Sequence, residues 1–265
     1  MAKKIPDFKE TTSLQQFRGA IDFLQTHIQL LDASLIFASK EIGKYPDKNE
    51  YIHKILNLNQ DDYAKLNHPA RQHKSIISHS KKKNIEFAII RLFNLFTTYL
   101  QGITSEMYHK APMMVVGKAV VNKNGDDKEN LFFTYADIVR LQNYKNVEDA
   151  MIKNIFRSIE DLRSTPKLLE KILKDTKVNI PNAIQDNALM YLEMRHLFIH
   201  NNGIVDNKFA NKFGKKFTPE LKDKSKLPTT FETFTEALTA INDLVCLIDK
   251  EMLKHNVVEK RKFKP

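Results

Sequence analysis

The chain predicts an all-α protein, a helical bundle, and three observations carry that expectation. Apolar residues recur at alternating spacings of three and four over long stretches. Only 7 glycines occur in 265 residues, so helical runs continue without breaks. The segment IEFAIIRLFNLFTTYL is apolar almost all round, the mark of a helix enclosed by others. The length is enough for one large domain or two small ones with a substantial core.

The first helix is expected over residues 13 to 43, where Leu14, Phe17, Ile21, Leu24, Ile28, Leu31 and Leu35 form one stripe. Ser13 is its expected N-cap and Gly43 its stop. A short helix follows through YIHKILNL, then a polar connection ending in HPARQHK, whose His68 and His73 read as surface-loop residues. Residues 83 to 109 form the second long helix, placed at the bundle centre, and Pro112 breaks it.

In MMVVGKAVVNKNGDDKENLFFTY, β-branched runs flank KNGDD, the pattern of a short β-hairpin near 114–134. Helical periodicity returns in NVEDAMIKNIFRSIEDL. There Asn146 is the expected cap, Glu148 and Asp149 complement the macrodipole, and Val147, Met151, Ile155, Phe156 and Ile159 form the apolar stripe. Thr165 caps the next helix with Pro166 at its first position, and Pro181 opens the one after. The last helix is expected from about Thr230 to His255, before a frayed basic tail, EKRKFKP.

A net charge of +10 favours polyanionic partners, RNA or DNA, by long-range attraction. The single cysteine, Cys246, makes no internal disulfide, which fits a reducing, cytoplasmic setting. No window approaches the ~18 uninterrupted apolar residues of a membrane span. MAKKIPDFKETTS has charge but no apolar run behind it, so neither a secretory signal nor a membrane partner is expected. Walker-type loops, dinucleotide fingerprints, CxxC and GxSxG are all missing from the sequence.

Chemistry concentrates in YLEMRHLFIHNNGIVD, residues 191 to 206. On an ideal helix each residue turns about 100°. With Arg195 at zero, His196 then lies near ~100°, His200 near ~140° and Glu193 near ~160°. The three share a sector, whereas Arg195 points among Tyr191, Leu192, Phe198 and Ile199 and needs a partner there. Asn201, Asn202 and Gly203 end the helix, because asparagine and glycine tolerate the left-handed conformation. His200 thus sits in the last turn, where the macrodipole favours a cation.

Three readings fit these residues. In the first the histidines are solvated or capping groups and Arg195 makes a structural salt bridge. The second is a dinuclear metal site: EMRH and EMYH, residues 106 to 109, are two Glu-x-x-His sequences, and Glu41 and Glu160 are the candidate further ligands. The third is acid–base catalysis on RNA without a metal or cofactor. Histidines suit the base and acid roles because they titrate near working pH. Arginine suits the phosphoryl oxygens through its fixed fork of donors. One helix alone does not readily surround a phosphate; two copies related by a two-fold axis can.

RHLFIH followed by NNGIVD resembles the signature of the HEPN superfamily. Arg195 and His200 match its R-x4-H pair, and His196 matches the polar position after the arginine. The resemblance covers residues 80–256 as a HEPN-like bundle, with 1–79 as an N-terminal helical extension and 257–265 as a basic tail. It implies a homodimer whose two motifs face one cleft. It also implies a metal-independent endoribonuclease leaving 2′,3′-cyclic phosphate and 5′-hydroxyl ends on RNA such as tRNA or mRNA. Such proteins are frequently toxins or antiviral effectors, so an antitoxin or defence-system partner is a further expectation. In this frame Arg195, His200 and His196 are the catalytic candidates, with Glu193 and Asn201 supporting them.

After the motif, Phe209, Phe213 and Phe217 recur every four residues, each preceded by a lysine: Lys208, Lys212 and Lys216. The expected structure is a short helical lid whose phenylalanines cap the core while its lysines, Lys215 included, face water and reach RNA phosphates. SHSKKKN at 78 to 84 is a further basic patch.

Overall fold

The first helix, α1, runs Thr12–Lys44 in a computed structural model that describes residues 9–111, 135–147, 149–152 and 165–262. Its cap is Thr11 rather than Ser13. The Thr11 hydroxyl accepts from the Leu14 amide at 3.1 Å and donates to Asp249, which also accepts from the Thr11 amide at 3.2 Å. The Ser13 amide and hydroxyl both donate to Glu106, at 2.7 and 2.6 Å. Two carboxylates brought by later helices thus sit at the positive end of the α1 dipole. Those tertiary partners choose between two neighbouring hydroxyl residues. Gly43 does not stop the helix either, which ends at Lys44. Its closing carbonyls are met by Lys48, whose Nζ donates to Gly43 and Tyr45.

Helix α2 is Ile52–Ile55. With Ile42 and Ala70, Ile52 makes a small core against which Ile55, Leu56, Leu66 and Ile76 pack. Helix α3, His73–Lys110, starts ten residues earlier than expected. SHSKKK stands out in the sequence as a basic patch, and it holds no glycine or proline, so nothing in it interrupts a helix. His73 is therefore a helical residue, 8% exposed, and its Nδ1–H donates to the Ala70 carbonyl at 2.7 Å; it is not a surface-loop histidine. Nor is α3 enclosed all round. Phe87, Arg91, Asn94 and Thr98, on one helical line, are all exposed.

Helix α4, Tyr135–Leu141, was not anticipated. Asn143, not Asn146, caps the helical residues 144–147 and 149–152, since its Oδ1 accepts from the Asn146 amide at 2.9 Å. The hairpin expected near 114–134, and Glu148, Ile155, Phe156 and Ile159, lie outside the described residues. Then come α5 (Thr165–Thr176, with Pro166 in its first turn), α6 (Asn182–His200), α7 (Asn207–Phe213) and α8 (Phe231–Lys254). The Pro181 carbonyl receives the Ile184 and Gln185 amides at the start of α6, and the Thr230 hydroxyl receives the Thr233 amide to cap α8. The protein is all-α. Among the described residues no strand forms; Tyr51–Pro69 and Ile204–Lys226 are isolated bridges. No described helix is long and apolar enough to cross a membrane.

The chain divides into two compact units, Met1–Gly19 with Phe93–Glu193 and Thr239–Pro265, and Ala20–Leu92 with Met194–Leu238. The first is centred on Phe96, Leu100, Ile103, Leu169, Leu244, Val245 and Ile248. Fully burying each such side chain contributes about 1.5–3 kcal/mol. Phe17 packs on Tyr99 with ring centroids 5.8 Å apart. As far as Arg261 the segment is held here: Val257 and Val258 are buried, and the Arg261 amide and Nε reach the Glu10 carbonyl and carboxylate at 2.9 and 3.2 Å. The second unit is centred on Ile21, Leu24, Ile28, Ala88, Ile89, Leu92, Met194, Leu197 and Phe234, and it holds the histidine motif.

Candidate functional site

Helix α6 keeps its α-helical form through His200, so the arginine and the histidines diverge as a 100° turn dictates. The rings of His196 and His200 lie side by side, centroids 4.8 Å apart and planes at 46°. Both are exposed, and neither makes a hydrogen bond or ion pair among the described residues. Glu193, the supporting candidate on the same helix, is half-buried. Arg195 is half-buried on another side, with its Nε enclosed. Ile199, between the histidines, is 43% exposed.

The helix ends where asparagine and glycine predict. Asn202 and Gly203 have φ of 51° and 73°, and the Leu197 carbonyl accepts from both the Asn201 and Gly203 amides. Asn201 works for the turn: its Nδ2 donates to the Ile204 carbonyl at 2.6 Å. A Cβ at Gly203 would stand 3.3 Å from the Phe198 ring, so glycine is needed there twice over. Beyond it the chain pairs with the later loop, Val205 to Ser225, Lys224 to Val205 and Leu227 to Gly203.

This closure shapes a cavity of about 270 Å³ that begins two residues past His200. It is lined by Phe198, Asn202 and Gly203, by His79, Lys82, Lys83 and Glu86 of α3, and by Lys226, Leu227 and Thr229. Lys83 is paired with Glu86 at 2.6 Å, leaving Lys82 and Lys226 as the uncommitted cations. The SHSKKKN patch, legible only as a charge run, is thereby placed at the end of the motif helix. Nothing in sequence distance links it to Lys226.

The lid forms as expected. Asp206 caps α7 by accepting from the Phe209 amide at 2.7 Å. Phe209 and Phe213 are buried with ring centroids 5.3 Å apart and planes tilted by 58°, and Phe217 lies 6.1 Å from Phe209. Lys208, Lys212, Lys215 and Lys216 are all exposed, and the Nζ groups of Lys212 and Lys216 lie 4.9 and 5.7 Å from the Phe213 ring.

Two candidate ligands of a dinuclear site are engaged elsewhere. Glu106 is bound by Ser13 and Glu41 by Lys44, while Glu160 lies outside the described residues. Among the described residues no three His, Cys, Asp or Glu side chains cluster to hold a metal. Comparison of the chain with protein-family models, with curated proteins and with solved structures finds no match.

Proposed function

We propose that this chain is a metal-independent endoribonuclease of HEPN type, acting as a homodimer. The observation that carries the reading is the exposed His196–His200 pair beside half-buried Arg195, at a helix end that opens onto a lysine-lined cavity. His200 takes the proton of the 2′-hydroxyl or gives one to the departing 5′-oxygen, with His196 assisting. Arg195 stabilises charge on the phosphoryl oxygens. Lys82 and Lys226, with the lid lysines Lys208, Lys212, Lys215 and Lys216, hold the RNA backbone.

In-line attack needs base and acid on opposite sides of phosphorus. Two imidazoles 4.8 Å apart on one helix face reach only one side. The other side falls to a second copy, so the monomer holds half a site. A tRNA or mRNA target, an effector role as toxin or antiviral protein, and an antitoxin or defence partner belong to the same proposal and rest on the RHLFIHNNGIVD resemblance.

One observation favours a second reading, a non-catalytic RNA-binding or scaffold protein: neither imidazole is oriented by a hydrogen bond among the described residues. Incubation of total RNA with wild type, Arg195→Ala and His200→Ala, with and without excess EDTA, separates the two. Cleavage by wild type that survives EDTA and is lost in both variants supports the nuclease. Equal cleavage by all three, or none by any, removes it.

A further inference from the structure

Helix α1 has a second apolar face. Its first stripe, from Ile21 to Ile28, is buried within its unit. Opposite, Phe23 is 75% exposed, Leu30 65% and Phe37 66%. They stand seven residues apart, and Phe23 stacks on His27 with rings 6.4 Å apart. Two large residues in water at random positions would be unremarkable. Three at a strict heptad spacing, on a helix of 33 residues, form the seam that a partner helix covers.

The seam is also its own complement. Leu30 lies at its middle, with a phenylalanine at each end. A two-fold axis beside Leu30 lays a second α1 antiparallel to the first, so that Leu30 meets Leu30 and each Phe23 meets a Phe37. The charges obey the same symmetry. Asp22 and Lys40 are exposed and eighteen residues apart, about five turns, so they share one flank of the seam. Such an axis keeps each flank facing its own copy, and at about 1.5 Å per residue it brings Asp22 of one chain within about one turn of Lys40 of the other. Two opposite-charge pairs form, whereas a parallel pairing carries the partner's copy of this flank to the other side of the seam and forms neither pair.

Size agrees. A phenylalanine carries roughly 150–250 Å² of surface. The two seams together thus cover on the order of 800 Å² before the flanking Thr26, Ala33 and Ser34 are counted. That approaches the ~1,200 Å² where stable interfaces begin.

We propose that α1 is a homodimer interface, joining two copies of this chain antiparallel about Leu30. It stands on the exposure and register of α1 alone and does not depend on RNA cleavage, so its test reads no activity. In a Cys246→Ser background, which removes the native thiol, Leu30→Cys is treated with a short thiol-to-thiol crosslinker. A covalent dimer is expected from Leu30→Cys by itself and from a mixture of Phe23→Cys with Phe37→Cys, and none from Phe23→Cys by itself. Leu30→Glu should sediment as a monomer with an unchanged helical signal, because the side chain is exposed. Self-crosslinking of Phe23→Cys, failure of Leu30→Cys to crosslink, or a wild type that sediments as a monomer overturns the proposal.

Discussion

His196 and His200 present their imidazoles to solvent as a pair, ring centroids 4.8 Å apart, on the last two turns of α6. Arg195, one residue before the pair, is turned into a half-buried setting instead. Replacing His200 by alanine should lower single-turnover RNA cleavage by about 10²–10⁴-fold, the usual weight of a positioned acid or base. His196→Ala should lose less, since its ring assists rather than transfers the main proton. Equal losses would reassign the roles; no loss in either would leave the pair as surface residues.

The lysines divide into two sets with different addresses. Lys82 and Lys226 line the cavity at the end of α6, and Lys208, Lys212, Lys215 and Lys216 stand on the lid. Substituting Lys82 and Lys226 by glutamine should weaken single-stranded RNA binding and flatten its salt dependence by about 0.7 per lost phosphate contact. Fluorescence anisotropy over a salt series measures both. Folding should be unaffected, because neither side chain is paired among the described residues.

Gly203 and Gly19 should respond to alanine in opposite directions. At Gly203 the positive φ and the Phe198 ring both oppose a Cβ, so Gly203→Ala should lose about 1 kcal/mol or more. Gly19 lies inside α1 with nothing within 4 Å of a built Cβ, and Gly19→Ala should gain roughly 0.5–1 kcal/mol. Urea unfolding of the two variants beside wild type checks the sign.

Asp249 is buried, and burial raises its pKa to about 6, against the lowering effect of its hydrogen bonds from Thr11. Because the folded form holds the proton more tightly than the unfolded chain, this group's contribution to stability is full below the ordinary carboxylate pKa of about 3.9 and is lost as pH rises through about 6. The loss is on the order of 3 kcal/mol. Asp249→Asn does not titrate, so its stability relative to wild type should improve between pH 4 and pH 7 by about that amount. Denaturation at the two pH values tests it, and a constant difference would contradict it.

Much of this was legible from spacing. The three-and-four periodicity located α1 within a residue of each end, Pro181 and NNG bracketed α6, and the expected span of α8 was right within a residue. What needed the fold was choice among equals. Thr11 and Ser13 are both competent caps, and Asn143 and Asn146 likewise; distant Asp249 and Glu106 decide the first case. The start of α3 is not legible because the polar run before residue 83 carries no apolar stripe to mark it. On α1 the spacing marks the buried stripe, whereas the exposure of Phe23, Leu30 and Phe37 is set by where the other helices pack. The cavity draws on segments more than a hundred residues apart, which no local pattern connects.

The central claim is that one chain carries half of a nuclease site. Its most direct test is RNA cleavage in excess EDTA across a dilution series, with the dimer fraction measured by sedimentation at each concentration. Activity per protomer should follow the dimer fraction and vanish in the monomer, and His200→Ala should be inactive throughout. Full activity from the monomer, or no cleavage from the wild-type dimer, would contradict it.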